Sequence, residues 1–207
     1  MKLEVIRLAN YPVASNCFIV WLPNENNNCI IIDPGSLDSV EIDFIIKQYQ
    51  LTLDLIFITH EHFDHIWCVD QLRDKYHCAL VASDKASEYI TDPKKNLSLF
   101  YDGKGFQVGS ADIVISENTS LLWCTYDIML YKTPGHSEGG MCISIDDFIF
   151  VGDLLLKGLP PCVKLPGGNR TLWYNSVKCL INECLTENCL ITVSYTHLRA
   201  HETRGNL

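Results

Sequence analysis

The sequence contains no long hydrophobic run, no basic tract and no C-x-x-C pair, and each absence excludes a class of protein. No apolar stretch reaches the roughly 20 residues that a membrane-spanning helix needs. The first seven residues mix charged and apolar side chains, which is not typical of a secretory signal peptide. Without a C-x-x-C pair, a thiolate zinc knuckle and a thioredoxin-type motif are excluded.

Positive charge is also scarce. The chain has 16 Lys and Arg against 25 Asp and Glu, so its formal net charge is −9 at pH 7. A protein that binds the phosphate backbone of nucleic acid needs clustered basic side chains. We therefore expect a small-molecule substrate and no nucleic-acid or membrane partner, while the oligomeric state is left open.

Cysteine, by contrast, is abundant, with ten residues in 207. Most of them lie within apolar runs such as 16–20 and 141–143, where cysteine behaves as a small buried hydrophobic side chain. A disulfide framework is typical of smaller secreted chains, whereas reduced thiols are typical of a reducing compartment. This usage predicts a cytoplasmic protein.

The hydrophobic content of 47% is enough for one domain, or two halves sharing one core. Apolar runs of strand length recur at 18–22, 29–32, 53–58, 79–82, 113–115, 128–131, 142–145 and 148–151. Helical spacing occurs at 39–49, 66–76, 83–90 and 172–184, and a last strand begins at Cys189. The region 92–120 is less regular. Two sheets packed together, with helices outside, fit this order.

The C-terminal tail differs from the rest of the chain. Residues 193–203 match the translation of a common sequencing adapter at eleven consecutive positions. Such segments are excluded from reasoning about the fold. We therefore expect a domain over residues 1–192, truncated before its last metal-ligand segment, and a non-native tail over 193–207.

Three of the seven histidines lie between positions 60 and 65, directly after the predicted strand 53–58. His60 and His62 are two residues apart, so an extended backbone directs both imidazoles to the same side. Asp64 and His65 come where the next helix begins, and a turn there can aim them at a neighbouring point. Imidazole and carboxylate groups suit zinc, iron or manganese. Four such groups could serve two adjacent metals.

Two further residues stand in similar positions. His136 follows a predicted strand and a Pro134-Gly135 turn, and Asp153 follows another strand and Gly152. Either residue alone is typical of a surface or capping position. In combination with the histidine cluster, both become candidate metal ligands.

The ordered motifs HxHxDH, PGH and GD resemble those of the metallo-β-lactamase superfamily, over about residues 16–192. The resemblance implies an α/β fold, an αββα sandwich of two mixed β-sheets flanked by helices, with the metal site at one edge. It implies two zinc ions per site, with iron or manganese as alternatives. The implied ligands are His60, His62 and His136 for the first metal, Asp64 and His65 for the second, and Asp153 between the two.

One element of the family pattern has no match. A PGHG-type segment normally gives the second metal its last histidine, but here Tyr195-Thr196 replaces the Pro-Gly turn. His197 lies near that register, and we interpret this as coincidence. We expect a complete first site and a second site one ligand short. Asp33 matches a family position near the site and is interpreted as a structural turn residue.

Asp153 and the segment 165–169 (LPGGN) are similar to the short, single-domain glyoxalase II-like (hydroxyacylglutathione hydrolase-like) group. β-Lactamases of the superfamily usually lack this aspartate. The group often has Gly-Arg and an acid before LPGG, whereas this chain has 161–164 (PCVK), so the substrate identity is left open. Glu61, between two ligands, is expected to point away from the metals, either exposed to solvent or behind the ligands.

The resemblance implies hydrolysis of a thioester such as S-lactoylglutathione, or of an ester, by a metal-bridging hydroxide. Asp64 and Asp153 would be the catalytic residues, with Asp64 orienting the nucleophile. Two alternatives stay open: a mononuclear iron oxygenase acting on persulfides, and a non-catalytic metal-binding module. Lactonase and phosphodiesterase activities are less favoured. The negative charge argues against the tRNA-processing nucleases of the superfamily.

Overall fold

The computed structural model describes residues 2–23, 26–156, 158–183, 190–192 and 197–199. Two six-stranded sheets lie face to face, with helices on their outer surfaces. The predicted αββα sandwich is confirmed. No helix within the described residues is long and apolar enough to cross a bilayer.

The first sheet places six strands side by side in chain order. They are β1 (Glu4–Ala9), β2 (Asn16–Trp21), β3 (Asn28–Ile32), β4 (Thr52–Phe57), β5 (Ala79–Ser83) and β6 (Ile113–Ile115). Strands β3 to β6 run parallel, so long crossover connections join them. The connections contain α1 (Val40–Gln48), α2 (Val69–Tyr76), α3 (Asp84–Tyr89) and α4 (Ser98–Asp102).

The second sheet is mostly antiparallel. Its strands are β7 (Thr119–Trp123), β8 (Tyr126–Lys132), β9 (Met141–Ile145), β10 (Phe148–Phe150), β11 (Leu190–Thr192) and β12 (His197–Arg199). Strand β11 pairs parallel with β10, after the crossover helix α5 (Arg170–Glu183). The tight β9–β10 hairpin turns at Asp146-Asp147, between the predicted strands 142–145 and 148–151.

The buried side chains form three layers. Between the sheets, Phe18 and Ile32 face Leu130, Ile143 and Phe150 of the second sheet. A second cluster lies between the first sheet and its helices, and a third lies under α5. Each sheet is therefore buried on both faces along its central strands, which explains why these strands are continuously apolar.

The structure differs from the prediction in three places. The predicted helix 66–76 is a 3₁₀ turn at 63–65 followed by α2 from Val69. The irregular region 92–120 contains α4 and the first two residues of β7, elements that are too short or too exposed to show an apolar period. The N-terminal strand β1 is half-exposed and was missed for the same reason. Apart from 197–199, the predicted non-native tail lies outside the described residues.

Candidate metal centre

The histidine cluster lies where the central strand β4 ends. The chain leaves β4 at Phe57 and reaches His60 within three residues, at the edge where the parallel strands also end. Gly35 lets the β3 connection approach closely, because a Cβ there would lie 1.6 Å from the Asp64 carbonyl oxygen. The loop between β8 and β9 brings His136 to the same edge.

Three of the predicted ligands converge closely. His62 Nδ1 lies 3.1 Å from His60 Nε2 and 3.0 Å from His136 Nε2. All three residues are at most 4% exposed. Zinc ligands at 2.0–2.1 Å stand about 3.3 Å apart in a tetrahedron. The two distances from His62 Nδ1 are therefore close to those of a metal site, and all three ligand nitrogens lie within 4.8 Å of one another.

The other ring nitrogens fix the tautomers of two of these histidines. His136 Nδ1 lies 2.7 Å from the Cys162 carbonyl oxygen, which can only accept, so Nδ1 carries the proton. The Thr59 hydroxyl donates to the Asp33 carboxylate at 2.6 Å, and it therefore accepts from His60 Nδ1 at 3.1 Å. In both neutral rings, Nε2 then presents a lone pair to the centre of the cluster.

This arrangement fits a bound cation. His62 Nδ1 faces two lone pairs and has at most one proton to offer, so hydrogen bonds cannot satisfy both contacts. Burial lowers the pKa of His62 to about 3, with further lowering by neighbouring His136, so protonation does not resolve the conflict. Burial also holds the pKa of His60 well below its usual range. A metal ion accepts all three lone pairs at once.

A second group of potential ligands adjoins the first. One atom from each of His60, His65 and Asp153 lies within 4.8 Å of the others. Asp153 Oδ1 is 3.5 Å from His65 Nε2, whereas Oδ2 is 3.5 Å from His136 Nε2. The two oxygens of Asp153 thus face the two groups separately. Asp64 Oδ2 is more distant, at 3.8 Å from His65 Nε2.

Asp33 connects the two groups, a role that its interpretation as a turn residue did not include. Asp33 Oδ2 accepts from Thr59 Oγ1 and from His65 Nδ1, at 2.6 and 2.8 Å, while Oδ1 accepts from Thr59 N at 2.6 Å. Burial lowers the pKa of His65, but the nearby carboxylates of Asp33 and Asp64 overcome it and raise that pKa well above its usual value. In the sequence, only the Asp33-Pro34-Gly35 turn pointed to Asp33 as a residue near the site.

Glu61 is not exposed to solvent, which excludes one of the two expected placements. Its side chain is 2% exposed and lies next to Gly139, where an added Cβ would be 2.4 Å from Glu61 Oε2. Burial raises the pKa of Glu61 to about 7, although the Ser137 hydroxyl and the backbone of Glu61 and Gly139 oppose the shift. Glu61 therefore lies against the loop that carries His136.

Comparisons with known proteins agree with this geometry. The chain is 28% identical over 168 residues to "Probable metallo-hydrolase YqgX" of Bacillus subtilis, covering 80% of this chain and 78% of that protein. It is 27% identical over 183 residues to a hydroxyacylglutathione hydrolase of Klebsiella pneumoniae, covering 88% of this chain but only 63% of that protein. The crystal structure of the BLEG-1 B3 metallo-beta-lactamase superposes with a TM-score of 0.88, at 26% identity, covering 98% of this chain and 97% of that one. The model of the metallo-beta-lactamase superfamily matches residues 10–183, and the chain belongs to that superfamily.

Proposed function

We propose that the protein is a metal-dependent hydrolase of acyl thioesters, of the hydroxyacylglutathione hydrolase type. The observation that carries the proposal is the position of the Asp153 carboxylate: Oδ1 lies 3.5 Å from His65 Nε2, and Oδ2 lies 3.5 Å from His136 Nε2. A carboxylate placed in this way can bridge two cations. Two-metal sites suit hydrolysis because they would activate the attacking water and polarise the carbonyl oxygen of the substrate.

Each ligand has a role in this proposal. The first metal would be held by His60 Nε2, His62 Nδ1 and His136 Nε2, and the second by His65 and Asp64, with Asp153 between them. Three buried imidazoles suit zinc, and iron or manganese are compatible with the same donors. The chemistry that such metals supply when bound is a water pKa near neutrality and a Lewis acid for a carbonyl oxygen.

Side chains of the protein would orient the water and the metal ligands. The Asp64 carboxylate is 13% exposed and lies 3.8 Å from His65 Nε2, and it would orient the nucleophilic water. Asp33 and Thr59 orient the rings of His65 and His60 through contacts at Nδ1, so that Nε2 of each ring faces the site. Protein side chains need not supply a covalent nucleophile in this reaction.

Similarity to the hydroxyacylglutathione hydrolase of Klebsiella pneumoniae supports the thioester class, and the LPGGN segment agrees with it. Hydrolysis of β-lactams is a second candidate, because the likeness to the BLEG-1 enzyme extends over nearly the whole of both chains. An iron persulfide oxygenase and a non-catalytic metal-binding module remain alternatives from the sequence.

A metal count combined with a substrate panel tests the proposal. The panel contains S-lactoylglutathione, a simple ester, a chromogenic β-lactam and glutathione persulfide with oxygen uptake. We expect thioester hydrolysis to dominate. His136→Asn should lower kcat/KM more than about 100-fold, since loss of a ligand exceeds the 10–100-fold effect of outer partners. The control His77→Asn changes an exposed histidine at the end of α2 and should leave the activity unchanged.

The possible results separate the alternatives. Dominant β-lactam turnover would replace the thioester proposal with the second candidate. Oxygen consumption with an iron-loaded protein would favour the oxygenase. Stoichiometric zinc without turnover of any substrate would favour the non-catalytic module.

A further inference from the structure

Asp153 lies in a short turn that is held by a side chain from outside it. The turn is a 3₁₀ helix of three residues, Gly152–Leu154, closed by a hydrogen bond from Leu154 N to Val151 O at 3.1 Å. The hydrogen-bond geometry of a 3₁₀ helix is poorer than that of an α-helix, so contacts with neighbours matter more for its position. The partly buried Trp173 of α5 donates from Nε1 to the carbonyl oxygen of Leu154 at 2.7 Å. The position of the Asp153 carboxylate therefore depends on α5.

The same helix holds the turn that carries His136. Ser176 is buried and donates from Oγ to the carbonyl oxygen of Pro134 at 2.7 Å. Gly135 packs directly on the helix, because an added Cβ there would lie 2.3 Å from the backbone nitrogen of Trp173. The turn from Pro134 to His136 is therefore seated on the first half of α5.

The LPGGN segment at 165–169 leads into this contact. Its last residue, Asn169, accepts at Oδ1 from the backbone nitrogens two and three residues ahead, both at 3.0 Å, and so caps the start of α5. Asn169 N also donates to the carbonyl oxygen of Gly135 at 2.8 Å. The start of α5 is therefore fixed to the turn that precedes His136.

These contacts bear on the distance between two proposed metal ligands. His136 Nε2 and Asp153 Oδ2 lie 3.5 Å apart, although the two residues come from different loops. Trp173 touches both loops, since its backbone packs against Gly135 and its indole is hydrogen-bonded to Leu154. Ligands that are already in place before the metal binds leave less ordering to be done on binding, and this raises affinity.

We propose that α5 sets the separation of His136 and Asp153 through Trp173 and Ser176, which act as positioning residues for the metal centre. Trp173 acts through the turn of Asp153, and Ser176 acts through the turn of His136. The inference rests on the metal-binding part of the proposed function and is independent of the substrate. The helix thus orders ligands that it does not itself provide.

Trp173→Phe tests the inference, because phenylalanine keeps an aromatic ring and removes the N–H donor. Zinc affinity is measured by competition with a chromophoric chelator, and stability by urea unfolding of the metal-free protein. We expect the affinity for the first equivalent of zinc to fall about 2–10-fold, which corresponds to the net contribution of one hydrogen bond. Ser176→Ala removes the donor to the Pro134 carbonyl and should lower zinc affinity by a similar factor.

Trp123→Phe is the matched control, since it makes the same chemical change at another tryptophan. Trp123 is buried and donates from Nε1 to Asp54 Oδ2 at 2.8 Å, so it joins β7 to β4 and not to a turn that carries a ligand. Trp123→Phe and Trp173→Phe should both reduce the stability of the metal-free protein. Only Trp173→Phe should reduce zinc affinity.

A double-mutant cycle with Asp153→Asn shows whether Trp173 acts through Asp153. If it does, Trp173→Phe lowers zinc affinity in the wild-type background and causes no further loss in the Asp153→Asn background. A tryptophan that only stabilises the fold would instead give the same loss in both backgrounds. The cycle therefore separates positioning of a ligand from general stability.

Three results would overturn the inference: wild-type zinc affinity in folded Trp173→Phe, equal losses in Trp173→Phe and Trp123→Phe, or additive losses with Asp153→Asn. If Trp173→Phe does not fold, Ser176→Ala decides, because lowered zinc affinity supports the inference and wild-type affinity overturns it. A wild-type protein that binds no zinc would overturn the proposed function together with this inference. Zinc binding without thioester hydrolysis would contradict only the proposed substrate class.

Discussion

Asp33→Asn should weaken both proposed metal sites at once. In the structure, Asp33 Oδ2 accepts from Thr59 Oγ1 and His65 Nδ1, and Oδ1 accepts from Thr59 N. Asparagine has one acceptor oxygen and one donor group in place of these two oxygens. If its oxygen keeps the bond from Thr59 N, its amide nitrogen faces two donors.

The magnitude follows from those contacts. Hydrogen bonds to a charged group contribute about 1.5–3 kcal/mol each, so losing two lowers the free energy of unfolding by about 3–6 kcal/mol. This is a large share of the 5–15 kcal/mol that is typical of a domain. His65 and, through Thr59, His60 both lose the partner that fixes the ring, so affinity for each metal should fall about 10–100-fold.

The assay combines urea unfolding of the metal-free protein with competition for zinc. Thr59→Val removes only the hydroxyl that orients His60, so we expect it to weaken the first metal and spare the second. Asp54→Asn is the matched control: Asp54 is a partly buried carboxylate of β4 that accepts from Trp123 Nε1 and Asn28 Nδ2, away from the histidines. Asp54→Asn should reduce stability without affecting zinc affinity.

One result would refute this reasoning. Wild-type affinity for both metals in folded Asp33→Asn would show that the shared carboxylate does not position the ligands. Equal losses of zinc affinity in Asp33→Asn and Asp54→Asn would show that general destabilisation, and not ligand orientation, causes the effect.

Two further predictions concern acid sensitivity and a close backbone contact. In the metal-free protein, the pKa of His62 is about 3, against about 6.5 in the unfolded chain. The contribution of neutral His62 to the free energy of unfolding is therefore complete above about pH 6.5 and is lost as the pH falls toward 3. The difference in unfolding free energy between wild type and His62→Asn should therefore shrink by about 1.4 kcal/mol per pH unit below 6.5, and a pH-independent difference would contradict this. Gly35→Ala should destabilise by more than about 3 kcal/mol, the upper end of overpacking costs, because its Cβ would overlap the backbone carbonyl of Asp64. Gly103→Ala, where only a left-handed φ opposes the side chain, should cost about 1–2 kcal/mol, and equal losses in denaturant unfolding would contradict the contact argument.

The sequence predicted the fold best where a short segment shows a strong hydrophobic pattern of its own. Continuous apolar strands such as Ile30–Ile32 and Ile56–Ile58 predict a sheet buried on both faces, and their alternation with helices predicts the layered fold. The elements that were missed, including β1, β7 and α4, are short or half-exposed. The strands β1 and β7 are defined by pairing with β2 and β8, and α4 is a five-residue helix, so none of the three shows a hydrophobic period of its own.

The candidate ligands His60, His62, His136 and Asp153 could be chosen from sequence because imidazole and carboxylate groups after strand ends form a recognisable order. The arrangement of these ligands in space could not be predicted from the sequence. The placement of the two Asp153 oxygens, the shared oxygen of Asp33 and the burial of Glu61 depend on segments up to 120 positions apart meeting at one sheet edge. Residue type and spacing thus determined which groups were available. Only the packing of the two sheets decided which atoms face each other, because hydrogen-bond direction and desolvation are properties of the assembled site.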